Sequence, residues 1–152
     1  MFVCWGNICR SPMAQVVAEA HAAREGLTGI TFGSAGVSAE EAGNPMDPRA
    51  VSTLRAAGYV PGPFTAHRIT ADEARSAAML IGMEELHLSR LRQLVPGAHN
   101  LYLMTDFDRD AIPGSGIEDP WYGDDEDFVT ALTQIEAAMP EVIKRAAELV
   151  RG

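Results

Sequence analysis

The sequence is short of positive charge: 12 Lys and Arg stand against 21 Asp and Glu, a formal net charge of −9. Nucleic acids and anionic membranes bind basic surfaces, so this balance argues against both as partners. It also means that any anion site must draw its positive potential locally, from a few side chains and backbone N–H groups. Cysteine is scarce as well. Cys4 and Cys9 alone make no disulfide framework, and a bridge closing so short a loop would contribute little to fold stability. No apolar run approaches the ~20 residues of a membrane-spanning helix, and Met1-Phe2-Val3 leads into a loop rather than a signal-peptide core. Internal repeats and low-complexity segments are also missing. What remains is 152 residues, 47% hydrophobic and 22% charged. That is the composition of one globular domain, residues 1–152, large enough to bury a sizeable core and expected in the cytoplasm.

The pattern along the chain alternates between short apolar strands and amphipathic helices. Met1-Phe2-Val3 reads as a first strand, and a helix starts near Pro12. Gly29–Ser34 reads as a second strand running into Ser34-Ala35-Gly36. Asp47-Pro48 supplies an N-cap and an N1 proline for a helix to Ala57, with Gly58 as its stop. Thr70 and Glu73 fit a capping box on a short helix. The apolar run Ala77–Met83 predicts a strand covered on both faces, Glu84–Leu94 a helix, and Asn100–Met104 a fourth strand. A long loop, Phe107–Asp124, precedes a final helical stretch, Glu126–Val150, in which Pro140 predicts a kink or break. Alternation of this kind implies an α/β fold with a parallel sheet, whose ligands gather beyond the carboxyl ends of the strands.

Cys4-Trp5-Gly6-Asn7-Ile8-Cys9-Arg10-Ser11 lies at such an end, between the first strand and the first helix. A loop entering a helix N-terminus points backbone N–H groups toward one place, which suits phosphate. The same field favours the thiolate form of a cysteine held there, a nucleophile beside an anion cradle. Arg10 offers a planar fork for two phosphoryl oxygens. Ser11 can cap the helix through its hydroxyl, Gly6 suits close backbone approach to an anion, and Asn7 tolerates left-handed dihedrals. Cys9 is open to two readings: a small buried hydrophobe, or a neighbouring thiol that traps oxidised Cys4 as a reversible disulfide.

The string Val3-Cys4-Trp5-Gly6-Asn7-Ile8-Cys9-Arg10-Ser11-Pro12-Met13-Ala14 resembles the signature of low-molecular-weight protein tyrosine phosphatases. The likeness continues in order through Ser34-Ala35-Gly36, Asp47-Pro48-Arg49-Ala50, Met83-Glu84 and Glu118-Asp119-Pro120-Trp121-Tyr122-Gly123. It implies a single-domain, three-layer α/β/α fold with a central four-stranded parallel sheet, flavodoxin-like. It also implies hydrolysis of phosphotyrosine, or of a small aryl phosphate, without cofactor or metal. Cys4 would be the nucleophile, Arg10 the phosphate clamp and Asp119 the general acid and base. Ser11 would donate to the Cys4 thiolate and Asn7 would brace the loop. Trp5, Gly6, Asn7, Ile8, Cys9 and Ser11, with Trp121 and Tyr122 at the rim, would line the substrate site. Glu118 is the rival acid, while Asp106, Asp108 and Asp110 read as solvated loop charges. The chain would act as a monomer or weak dimer.

Three positions depart from that pattern. Glu40 falls where many relatives carry an aromatic substrate wall, and reads as a solvated rim residue. Phe64 falls where many have a histidine bracing the phosphate loop, a role open to His67 only if the local path differs. His21, His67, His87 and His99 otherwise read as surface or capping histidines. Met1 sits almost on the first strand, which leaves the natural start open. Other activities also remain open. Arsenate reduction coupled to thioredoxin needs relay cysteines, and none follows Cys9. Arginine phosphatases tend to carry Thr where Ile8 stands. A catalytically silent phosphate-binding module is the third alternative.

Overall fold

The computed structural model describes all residues, Met1–Gly152. Four three-residue strands form one parallel sheet: β1 Phe2–Cys4, β2 Ser34–Gly36, β3 Leu80–Gly82 and β4 Leu101–Leu103, in the order β2-β1-β3-β4. Five helices connect or follow them: α1 Arg10–Arg24, α2 Pro48–Ala56, α3 Ala71–Ser76, α4 Glu85–Leu94 and α5 Asp125–Arg151. Side chains alternate across each strand, and this divides the interior in two. Phe2 and Ile81 face a larger core with Met13, Val17, Phe128, Ile135 and Met139 of α1 and α5. Val3, Ala35, Leu80 and Leu103 face a smaller one with Ala74, Leu88 and Leu91 of α3 and α4. The result is the expected three-layer, flavodoxin-like arrangement.

The order of the strands places the site. The chain leaves β1 toward β2 on one side, while β3 lies on the other, so the carboxyl end of β1 sits at the point where strand order reverses. Crevices form there in open parallel sheets, and Cys4 is the last residue of β1.

The capping signals act as read. Asp47 accepts from the N–H of Arg49 at 2.8 Å, and Thr70 and Glu73 make the reciprocal pair of a capping box. Several boundaries differ from expectation: the third strand is Leu80–Gly82 rather than Ala77–Met83, and three further differences have local causes. The second strand is Ser34–Gly36, not Gly29–Ser34, because Phe2 pairs with Ser34 and the residues before it have almost nothing opposite to pair with. Phe32 instead stacks on Phe2, with ring centroids 6.4 Å apart. The first helix begins at Arg10, so Pro12 sits inside its first turn, where no N–H is needed. Helix α5 runs through Pro140 without a break. Pro140 is on the solvent side, and neighbouring Met139, Val142 and Ile143 are buried in the core, which holds the helix across the lost hydrogen bond.

Candidate active site

A cavity opens at the end of β1, lined by Cys4, Trp5, Gly6, Ile8, Cys9, Arg10, Glu40, Glu41, Asp119, Trp121 and Tyr122. Its floor is the Cys4–Arg10 loop. The loop turns sharply at Asn7, whose φ of 62° is the one positive φ outside glycine. Asn7 is fully buried, and its side chain braces the loop in three directions. Its amide donates to Ser11 Oγ at 2.9 Å and to Ser34 Oγ at 3.0 Å, and its carbonyl oxygen accepts from the backbone N–H of His67 at 3.1 Å. The brace on the far side is therefore the backbone of His67. Phe64 packs on the larger core, and the His67 imidazole pairs with Glu73 on the surface. At this point of the loop the donor to Asn7 is main chain rather than a histidine side chain.

Gly36 makes room for this turn. A Cβ there would lie 2.6 Å from the carbonyl oxygen of Trp5 and 3.2 Å from the nitrogen of Asn7, so only glycine lets β2 lie against the loop. Gly6 has a different neighbour: its missing Cβ would fall 3.0 Å from the Glu41 side chain.

Cys4 Sγ is buried, 3.3 Å from the N–H of Asn7 and 3.0 Å from Ser11 Oγ. Ser11 does not cap α1. The N-cap is Cys9, with no side-chain cap bond, because the Ser11 hydroxyl is taken up by Cys4, Asn7 and the Ala35 carbonyl. Cys9 packs in the larger core with its thiol 3.9 Å from Asp47, and burial with that carboxylate pushes the thiol well above its ordinary range. Both cysteines are free.

Arg10 is 2% exposed, an unusual place for a guanidinium. Three groups hold it. Its Nη1 donates to the Glu84 carboxylate and to the Ile117 carbonyl, the latter at 2.7 Å, while Nη2 lies 3.5 Å from Asp119. Arg10 Nε, also buried, has no acceptor. An unpaired buried N–H costs about 1–3 kcal/mol, and a bound anion at the loop would remove that cost. Glu84 is the N-cap of α4, and its own N–H donates to Nδ1 of His87 at 3.0 Å. That contact fixes His87 as the neutral tautomer with hydrogen on Nε2. The ring is fully buried, and desolvation together with nearby Arg10 pulls its pKa down to about 3. His87 is therefore a capping histidine but not a surface one. Sequence reasoning offered capping as one reading of His87 but not its burial beside Arg10, and it gave Glu84 no role.

Asp119 caps a single 3-10 turn, Pro120–Tyr122, accepting from the N–H of Trp121 at 3.1 Å. Pro120 is buried, which anchors the turn, whereas Trp121 and Tyr122 project at the mouth with their rings edge to face, 4.9 Å apart. Glu118 points to solvent and does not line the cavity, nor do Asp106, Asp108 and Asp110. Trp5 is half-buried between Arg90, 5.0 Å from its ring, and Glu40, which accepts from its indole N–H at 3.2 Å. Glu40 is thus solvent-exposed, as expected, yet borders the cavity.

A buried thiol, a buried guanidinium and a carboxylate on a capped turn therefore meet over one loop, together with an N–H that lacks an acceptor. Residues 1–151 match the family model for the low molecular weight phosphotyrosine protein phosphatase. The chain belongs to that family. It is 37% identical over 143 residues to low molecular weight protein-tyrosine phosphatase A of Mycobacterium tuberculosis, covering 91% of this chain and 85% of that protein. To the human low molecular weight phosphotyrosine protein phosphatase it is 33% identical over 141 residues, 88% and 86% of the two chains. The crystal structure of a protein tyrosine phosphatase from Entamoeba histolytica superposes with a TM-score of 0.89 at 25% identity, over 97% of this chain and 95% of that one. The phosphatase fold thus extends over nearly the whole length. No helix is long and apolar enough to cross a membrane.

Proposed function

We propose that the protein hydrolyses phosphotyrosine and related aryl phosphomonoesters through a phosphocysteine on Cys4. The observation that carries this reading is the convergence of Cys4, buried Arg10 and Asp119 on one cavity at the end of β1. Membership of the phosphatase family supports it.

The chemistry follows from the contacts. The phosphoryl oxygens lie over the loop, taking hydrogen bonds from backbone N–H groups and from Arg10 Nε, while Glu84 and Ile117 fix the plane of the guanidinium. The Cys4 thiolate attacks phosphorus in line. The bond from phosphorus to the phenolic oxygen breaks, and Asp119 delivers its proton to that oxygen. Charge gathered on the phosphoryl oxygens in the transition state meets donors already in place. Water then attacks the phosphocysteine, Asp119 takes up its proton, and the thiolate leaves with Ser11 donating to Sγ. One water is consumed, and the products are the phenol and inorganic phosphate. Trp5, Trp121 and Tyr122 supply apolar surface for the aryl ring.

One observation favours a second substrate. Glu40 and Glu41 make the mouth acidic, which suits a phosphoryl group carried on a cation, as in phosphoarginine. Competition between a phosphotyrosine peptide and a phosphoarginine peptide decides between the two. The broader reading is tested with p-nitrophenyl phosphate in reductant and a metal chelator, with vanadate as inhibitor. Turnover blocked by vanadate is expected. An inert wild-type enzyme under those conditions would sink the proposal.

A further inference from the structure

Arg49 lies outside the cavity and touches none of the reacting groups, yet it joins the two loops that the chemistry needs together. Its Nε and Nη2 hold the two oxygens of Asp47 at 3.1 and 2.9 Å. The same guanidinium stacks on Phe128 in the first turn of α5, 4.6 Å from the ring centroid. Its Nη1 reaches the carbonyl oxygens of Trp121 at 3.3 Å and Gly123 at 3.5 Å, on either side of Tyr122. On the other side, the N–H of Asp47 donates to the Ile8 carbonyl at 2.9 Å, and its carboxylate meets the Cys9 thiol. A continuous path therefore runs from the phosphate loop through Asp47 and Arg49 to the turn that carries Asp119. The last link is the 3.1 Å bond from the N–H of Trp121 to Asp119 Oδ1.

We propose that Arg49 is the positioning residue for Asp119, fixing the acid-bearing turn at a set height above the phosphate loop. The inference rests on the proposed role of Asp119 as general acid. Trp121 and Tyr122 are 45% and 85% exposed, so packing alone does little to hold the turn beyond Pro120. The planar fork suits the task. Five N–H donors in one rigid plane can grip a carboxylate along one edge and two carbonyls along another, which a lysine cannot do. The Asp47 hydrogen bond and charge also raise the Arg49 pKa, so the clamp is charged at any working pH.

The test compares leaving groups. Arg49→Lys keeps the cation near Asp47 but loses the fork, and Arg49→Met keeps a long apolar side chain beside Phe128 while losing every donor. Both are assayed with phenyl phosphate, whose leaving group needs a proton, and with p-nitrophenyl phosphate, whose leaving group does so far less. The quantity read is kcat/KM, which covers all steps through leaving-group departure. General acid catalysis contributes about 10²–10⁴-fold. A misplaced acid is expected to cost phenyl phosphate at least about tenfold more than p-nitrophenyl phosphate, with vanadate inhibition unchanged. In an Asp119→Ala background the Arg49 substitutions are expected to add no further loss. Equal losses for both substrates, or losses that multiply with that of Asp119→Ala, would assign Arg49 a structural role only and overturn the inference. If Asp119→Ala itself treats both substrates alike, Asp119 is not the acid, and the proposed function fails at that residue instead.

Discussion

His87 should make this protein acid-sensitive in a way that one substitution removes. The imidazole is fully buried and neutral, with a pKa near 3 against an ordinary value of 6.5. Between those values the unfolded chain binds a proton that the native chain refuses, so stability rises with pH across that window and is lost as pH falls through it. Each unit of difference is worth about 1.4 kcal/mol, so the fall from pH 7.5 to 4.5 is about 2–3 kcal/mol from this residue alone. His87→Asn is the informative change, because the Asn side-chain oxygen can accept from the N–H of Glu84 in place of Nδ1 but does not titrate. Its smaller side chain costs some stability at every pH, and that offset cancels in the comparison. Urea unfolding of both proteins at several pH values between 4.5 and 7.5 gives the difference directly. The wild type should lose about 2–3 kcal/mol more than His87→Asn over that range. Parallel curves would refute the reasoning and place a proton, or a solvent path, on the native imidazole.

Gly36→Ala should lower the melting temperature and depress kcat together. The added methyl meets the Trp5 carbonyl at 2.6 Å, a backbone clash that must shift the phosphate loop, at about 1–3 kcal/mol. Thermal unfolding and steady-state assay check it, and a fully active variant of native stability would contradict the packing argument. Glu40→Gln should lower KM for aryl phosphate dianions by about two- to fivefold at low ionic strength, an advantage that salt erases. A KM unchanged at low salt would mean that the carboxylate does not act on the pocket. Ser11→Ala should slow breakdown of the phosphocysteine more than its formation, because the thiolate leaves without its hydroxyl donor. Pre-steady-state kinetics separates the two steps, and equal slowing of both would count against that role.

Much of the site could be read from the residues because its chemistry is local in sequence. Cys4 through Ser11 form the loop and the first residues of the helix it enters, and Asp119-Pro120 is a short signal whose cap follows from its own residues. Helix starts at Asp47-Pro48 and Thr70 were legible for the same reason. What stayed hidden is what the fold brings from far away. Glu84, 74 residues along the chain from Arg10, stood out only as part of the Met83-Glu84 likeness, with nothing to show that it would grip the guanidinium. His87 read as a surface or capping group, and its burial stayed hidden because it depends on the packing of α4. The brace from the His67 backbone was invisible, since a main-chain N–H leaves no mark in the sequence. Ser11 misled in the opposite sense. Its position at a helix start satisfied the rule for a cap, but the tertiary demand of Cys4 and Asn7 took the hydroxyl. The second strand was misplaced because its extent is set by how far β1 runs beside it.

In the proposed mechanism Cys4 carries the phosphoryl group between substrate and water. Rapid acid quench during turnover of p-nitrophenyl phosphate, followed by mass spectrometry of the peptide containing Cys4, tests it directly. A phosphorylated Cys4 thiol that forms and decays at rates consistent with turnover is expected, while Cys4→Ser should bind vanadate or phosphate but release no p-nitrophenol. Phosphate release by Cys4→Ser at the wild-type rate, or a wild type that turns over with Cys4 never phosphorylated, would contradict it.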